Sequence, residues 1–484
     1  MATITSLGIG SGLDINSMVS QLVALERRPL GQMRTEATRL QTQVSSFGQL
    51  KSLFSGLQDA SNALNSASLW QRSVATSSNE AAVRAVGGAD AVAGNYAVSV
   101  QNLARSQTLV SDASLGTPSS LAGAGTLTLQ LGSWTNATPP AFTAKSGSTA
   151  VPITVEATDT LANVRDKINA AGAGVTATLV TDATGTRLSM RSTETGADNG
   201  FRVGVTDGDG QPGDNAGLSR LAYNPAAGTV GMGLRQAADN ARATVNGIPI
   251  SSASNEVSGV IGGLTLSLRK ETGTEEVSID LAADRAGVDK AIKTFVEAYN
   301  ALSKFISTQT RFDEGSKRAG SLQGDSAVTA VQARLRAVLN MPSAAAAAFP
   351  RISDVGLQLQ RDGTLKIDQV KLDSAMANLP ELKKAFSNSD TANPENQGFM
   401  RRFSTLATQL LAVDGSLTTR TEGLQKLITK NTDDQARLED RVSRFQDRLV
   451  AQYTAMDANL SRLNALSSYV NQQFSSTNRN NNNR

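Results

Sequence analysis

The sequence predicts an α+β multidomain protein: a helical, coiled-coil base formed by both termini, with mainly antiparallel β domains inserted between them. Three observations carry this. Apolar residues recur at helical spacing through about the first 65 residues and again through about the last 60. Between them lies a stretch rich in Gly, Thr, Ala and Val that alternates with period two. Helical spacing then returns near residue 287.

The N-terminus begins with a glycine leader, Gly8, Gly10 and Gly12. Asp14 is placed to cap a helix carrying Ile15, Met18, Val19, Leu22 and Val23. Pro29 predicts a break there, or the first turn of a new helix. Beyond it Leu30, Met33, Ala37, Leu40, Val44, Phe47, Phe54 and Leu57 form a seam, with Met33, Leu40, Phe47 and Phe54 seven apart. Lys51 falls in one inner slot, where its stem can lie along the apolar surface.

From about residue 75 short alternating runs predict strands: Tyr96 to Val100, Thr126 to Gln130, Ile153 to Val155, Val175 to Val180, Arg187 to Met190, Leu264 to Leu268 and Val277 to Leu281. Asn246-Gly247 predicts a tight hairpin turn. One helix interrupts the strands, capped by Asp159 or Thr160, carrying Leu161, Val164 and Ile168, and ended by Gly172. The turn-rich Asp207-Gly208-Asp209-Gly210, with Asp214 further on, resembles a calcium loop but lacks a Glu at the twelfth position. A solvated turn is the expectation.

Val288, Ile292, Phe295, Val296, Tyr299 and Leu302 predict a further helix, as do Val328, Val331, Leu335, Val338 and Leu339. A hairpin follows, Val355 to Leu359 and Thr364 to Ile367 around Arg361-Asp362-Gly363. Leu372 to Leu379 and Phe399 to Leu411 read as helical. The last seam is Leu438, Val442, Phe445, Leu449, Tyr453, Met456, Leu460, Leu463, Val470 and Phe474, with Ser467 in one slot. A continuous helix from Leu424 to Phe474 spans about 75 Å. Asp433 with Arg437 and Asp440 with Arg444 sit four apart, acid first, as expected of ion pairs.

The portions nearest the middle, Leu50 to Leu64 and Leu424 to Leu438, admit two readings: shared seam or ordinary core. The outer portions, which end in the polar tail around Asn480 to Asn483, are expected to fold only against each other or a neighbouring subunit. Their partner-binding residues are then Ile15, Val19, Leu22, Met33, Leu40 and Phe47, and Leu449, Met456, Leu460, Leu463, Val470 and Phe474.

Composition narrows the function. The 484 residues suffice for several domains, and 46 basic against 43 acidic residues leave a net charge of only +3. That balance, without basic blocks interleaved with aromatics, argues against nucleic acid. Aromatics are 4%, so the β cores must be built mainly from Val, Leu, Ile and Ala. With no Cys and no His, thiol chemistry, Cys-ligated zinc and the commonest general base are gone. No apolar run is long enough for membrane insertion, and no secretory signal peptide is evident. The chain is expected to be cytosolic or exported by a route without a cleaved signal.

The leader Gly8 to Asn16, followed by Gln21-Leu22-Val23 and Glu26 to Leu30, resembles the start of the flagellar hook-associated protein 2 family, the filament cap proteins. Thr160-Leu161 through Ile168 to Ala171 resembles a motif found inside flagellins and cap proteins. Val245-Asn246-Gly247, Asn255, Phe295 to Leu302, Gly356-Leu357, Arg361 to Leu365, Arg420 to Leu424, Gln452 to Asp457 and Ser467 to Val470 extend the likeness; residues 106–240 match least. The resemblance implies a subunit of a homo-oligomeric ring at the distal tip of a growing bacterial flagellum. There it would help exported flagellin fold and insert, with the terminal helices as legs. It further implies export without a cleaved signal, and contact with hook–filament junction proteins and a cytosolic export chaperone. No catalytic, cofactor-binding or metal-binding residue is expected, and no enzyme activity.

The domain expectation is a leg from 1–40 with 440–484, a helical bundle with a β-hairpin from 41–74 with 281–439, a β domain from 75–105 with 241–280, and an outer β domain from 106–240. Three alternatives remain open. The first is another axial flagellar protein, a flagellin or a hook–filament junction protein. The second is an adhesin whose β domains touch host mucin or glycans. The third is a carbohydrate hydrolase using acids such as Asp207 and Asp214.

Overall fold

The structure, a computed structural model, describes residues 14–111, 114–211, 214–315 and 317–481. The leader glycines Gly8, Gly10 and Gly12 lie outside this range, as do the last three residues of the asparagine tail. The helices in chain order are α1 Ile15–Asn65, α2 Ala67–Trp70, α3 Leu161–Ala170, α4 Arg285–Thr310, α5 Ser326–Asn340, α6 Gln369–Met376, α7 Leu379–Ser387, α8 Phe399–Leu411 and α9 Ser416–Asn481. The chain divides into two compact units: a helical unit, up to Ser66 and from Ala286 onward, and a β unit, Ala67–Arg285.

In the helical unit α1 starts where Asp14 predicts it, the carboxylate accepting the Ser17 N–H at 3.0 Å. The expected break at Pro29 does not occur, and α1 runs unbroken through it. Pro removes one donor and leaves the carbonyl four residues earlier, that of Leu25, unpaired. Leu25 is 55% exposed, so water can serve that carbonyl and the helix continues.

Past Leu40, α1 buries Phe47, Leu50, Phe54, Leu57 and Leu64, and it packs against α8 and α9. The sevenfold spacing therefore places these residues in a core, each worth about 1.5–3 kcal/mol on burial. Leu424 is buried as well. Phe295 on α4 meets Phe403 on α8 edge-on, with centroids 5.1 Å apart. Tyr299 stands beside the same ring, and burial pushes its hydroxyl pKa up to about 12.

Polar ties close the unit. The Gln43 amide donates to the Ser321 carbonyl at 3.2 Å, and the Ser46 and Ser321 hydroxyls share a 2.7 Å bond. Asp325 caps α5 and receives the Arg420 guanidinium of α9 at 2.9 Å. Arg402, only 7% exposed, donates to the carbonyls of Met341, Pro342 and Glu395 at 2.9–3.0 Å, pinning two loops to α8. Its guanidinium rests on carbonyl dipoles, and burial lowers its pKa from the ordinary value. The segment expected as one helix from Leu372 to Leu379 is two, α6 and α7, because Asn378 caps α7 and so starts a new helix. The 357–367 hairpin forms as expected, with Gly363 at φ 85°.

The β unit holds two separate cores. One is shared by a five-stranded sheet and a three-stranded sheet. The five-stranded sheet runs, in spatial order, Ser73–Ser77, Val277–Ala283, Gly94–Asn102, Ala241–Val245 and Ile248–Ser252. The smaller sheet is Glu256–Ile261, Leu264–Leu268 and Val83–Gly87. Asn246 and Gly247, at φ 49° and 78°, form the tight turn their sequence predicts.

The second core is built around Phe201, Leu127, Leu129, Leu188 and Met190. Helix α3 closes it with Leu161, Val164 and Ile168. Thr160 caps α3 in a reciprocal box with Asn163, while Asp159 pairs with Lys167. Every strand pairing among the described residues of the β unit is antiparallel. The four-stranded sheet over this core runs Met232–Gln236, Thr108–Ser111, Gly185–Ser192 and Val175–Asp182.

Candidate functional site

The two terminal helices carry exposed apolar side chains at helical spacing. They run antiparallel. Ile15, Val19, Val23 and Leu30 of α1 close on Leu438 and Val442 of α9, with Met18, Met33, Phe445, Leu449, Val450 and Tyr453 along the flanks. Arg34 and Glu439 bridge the pair at 3.0 Å, in solvent, where such a bond steers more than it stabilises.

This seam uses part of the expected partner set inside the chain. Ile15, Val19, Leu40 and Phe47 are buried in the helical unit. Ile15 and Val19 pack on the other terminal helix of the same chain, one of the two kinds of partner expected for them. Met33, Leu449 and Leu460 are half-buried. Leu22, Met456, Leu463, Val470 and Phe474 are exposed, Leu463 by 59% and Phe474 by 69%.

The α1–α9 cluster reaches no further along α9 than Tyr453, and every residue from Ser461 to Ser475 is exposed. The length of α9 from Thr454 to its end measures about 40 Å. On it Leu463, Leu466, Val470 and Phe474 make one stripe, and Tyr469 stands beside them. The sequence pattern alone does not pick out Leu466 and Tyr469. A single row followed through Ser467 passes them by, whereas Leu463 to Leu466 is itself a step of three, which widens the stripe.

The ion pairs differ from expectation. Arg437 donates to Asp434, three residues away, rather than to Asp433. That contact raises the Arg437 pKa, and Asp433 adds a smaller charge effect. Among the described residues no ion pair joins Asp440 to Arg444.

The acidic turn of the β unit is spent on its own backbone. Asp207 accepts the Ser219 N–H at 2.7 Å; Asp214 accepts the Ala216 N–H at 2.9 Å and the Ser219 hydroxyl at 2.8 Å. These bonds hold the Asp214 carboxyl below its usual pKa range. Among the described residues no cluster of three acidic side chains is arranged to hold a metal ion. No described helix is long and apolar enough to cross a membrane.

Comparison with known proteins places this architecture. Residues 11–107 match the family described as Flagellar hook-associated protein 2 N-terminus, and residues 238–465 match Flagellar hook-associated protein 2 C-terminus. The B-type flagellar hook-associated protein 2 of Pseudomonas aeruginosa is 33% identical, over 94% of each chain. The chain belongs to the flagellar hook-associated protein 2 family.

The flagellar hook-associated protein 2 of Escherichia coli K12 is 30% identical, over 98% of each chain. Among solved structures, the D1-D2-D3 domains of the flagellar cap protein FliD from Escherichia coli superpose with a TM-score of 0.63 at 28% identity. That match covers 78% of this chain and 99% of the other. Residues 141–194 match the Flagellin hook IN motif, the segment carrying α3 and its flanking strands. Family members of this kind are flagellar cap proteins, and the rival axial and adhesin readings are not favoured.

Proposed function

We propose that this chain caps the distal end of the growing flagellar filament and promotes folding and insertion of exported flagellin there, without chemical catalysis. The observation that carries the reading is the bare length of α9 past Tyr453, a helix too long and too apolar on one side to end in solvent. Legs of this kind grip neighbouring helices, and the rest of the chain is held over the filament end. The partners of this reading are further copies in a closed ring, flagellin, the hook–filament junction proteins and a cytosolic export chaperone. The chain leaves the cell without a cleaved signal, and the division into leg, bundle and two β domains belongs to the same proposal.

Assembly help of this sort is shielding. A subunit released into bulk diffuses away or aggregates, whereas one retained beneath a cap stays at high effective concentration. The test is a chain ending at Asn459. It keeps the α1–α9 cluster whole and loses the exposed stripe. Normal helical content without restored filament growth in a cell lacking its cap supports the reading. Full restoration by the shortened chain overturns it.

A further inference from the structure

The strand Val175–Asp182 ends its sheet, and the pairing register fixes where its backbone groups point. Asp182 faces Gly185 across a two-residue turn, Thr181 faces Thr186, and the register holds back to Val175 opposite Ser192. The pair closing such a turn exchanges hydrogen bonds, so the even-numbered residues bond inward and the odd-numbered ones point to the free edge. Two contacts verify the alternation. The Thr193 N–H donates to the Gly174 carbonyl at 2.9 Å, on the inward side. On the outward side, the Asn169 carboxamide donates to the Ala177 carbonyl at 3.0 Å and accepts its N–H at 2.7 Å.

Asn169 thus takes the place of one peptide group of a neighbouring strand. Beyond it the edge is bare. Among the described residues nothing meets the outward N–H and C=O groups of Leu179 and Thr181, and Val180 between them is 54% exposed. Two other edges of the β unit are blunted. In Ile248–Ser252 the outward position opposite Thr244 is Pro249, which has no N–H to offer. The far strand of the same four-stranded sheet, Met232–Gln236, is broken by a bulge between Leu234 and Gln236.

We propose that the edge at Leu179–Thr181 receives an extended segment of a non-native polypeptide, continuing the line that Asn169 begins. The complement of donor–acceptor pairs spaced two residues apart is another extended backbone, since side chains do not repeat that spacing. Such recognition is independent of sequence and suits a client that has not yet folded. The inference rests on the capping proposal only for the source of that client, a flagellin chain leaving the export channel. The edge itself is tested without filaments.

The probe is a fluorescein-labelled alternating Thr/Val peptide with a lysine at each end, titrated with the full chain and followed by anisotropy. Thr181→Pro removes one outward donor and keeps the inward bonds, and Val180→Lys sets a like charge against the probe. Saturable binding, about tenfold weaker for either variant and for a peptide N-methylated at alternate amides, is the expected result. Absence of saturable binding overturns the proposal, as does equal binding of the methylated peptide, which marks apolar adhesion. Circular dichroism checks the fold; if Thr181→Pro unfolds the β unit, the titration of Val180→Lys decides by itself. Sedimentation in which Thr181→Pro abolishes self-association assigns the edge to a second copy and also overturns it. A failed peptide titration leaves the filament-growth test of capping untouched, and the converse holds.

Discussion

Between Leu417 and Val442, α9 buries Leu417, Leu424, Leu438 and Val442 in the helical unit; between Met456 and Phe474 the same spacing carries apolar residues that, half-buried Leu460 apart, stay in solvent. Both lengths belong to one unbroken helix. The difference is what lies alongside. The inner length has α1 and α8 to pack against, and the outer length has outrun the described part of α1. Amphipathic spacing therefore states that a helix needs a partner, not which chain supplies it.

The strongest way to break the comparison is to attack the inner length. Phe47→Ala empties a fully buried site on α1 and should cost about 3–5 kcal/mol in urea unfolding followed by circular dichroism. A loss below about 1 kcal/mol would place Phe47 outside the core. Next comes Arg420→Met. It leaves the Asp325 carboxylate, whose side chain is 2% exposed, without its ion pair, though Arg420 itself is part-exposed and its contribution is screened. About 1 kcal/mol is expected, measured the same way.

Leu463→Gln with Phe474→Gln should leave the stability of the purified monomer within about 0.5 kcal/mol, since both side chains are already wet. The same pair should abolish filament growth. Destabilisation of the monomer would show that the outer length is covered by its own chain. Amide exchange sharpens the point: amides near Leu438 and Val442 should be protected far beyond those near Leu463 and Val470.

The smallest expected effect is local. Asp390 is bound by Asn396, Asn393 and Ala392, which hold its pKa at about 2, below the ordinary carboxylate value. A depressed value means the loop is favoured by the ionised form. That contribution is complete above the ordinary value near 4 and is lost as the pH falls toward about 2. Side-chain amide resonances of Asn393 and Asn396 should therefore shift over that range, and Asp390→Asn should abolish the shift.

Much of the fold was legible because its signals are local. Period-two runs became strands, Thr160 capped α3, and Asn246-Gly247 made a turn, each decided by side chains within a few residues. Pro29 was misleading because a proline's effect depends on whether the orphaned carbonyl can reach water, which the tertiary setting decides. The acid–base steps along α9 were misleading too, since two neighbouring acids, Asp433 and Asp434, both lie within reach of Arg437.

Of the candidate surface, the exposed stripe from Met456 to Phe474 was readable, and its division from the buried seam was not. Leu40, Phe47, Leu463 and Phe474 are indistinguishable as apolar residues at helical spacing. Sequence by itself determined that both ends are helical, that the middle is β, and that the helices require packing. Only the tertiary structure decided that, among the described residues, α1 and α9 satisfy one another as far as Tyr453 and a sheet edge stays open at Leu179 and Thr181. The reason is physical: apolar spacing and strand alternation are properties of one segment, whereas burial and free backbone groups depend on where another segment ends.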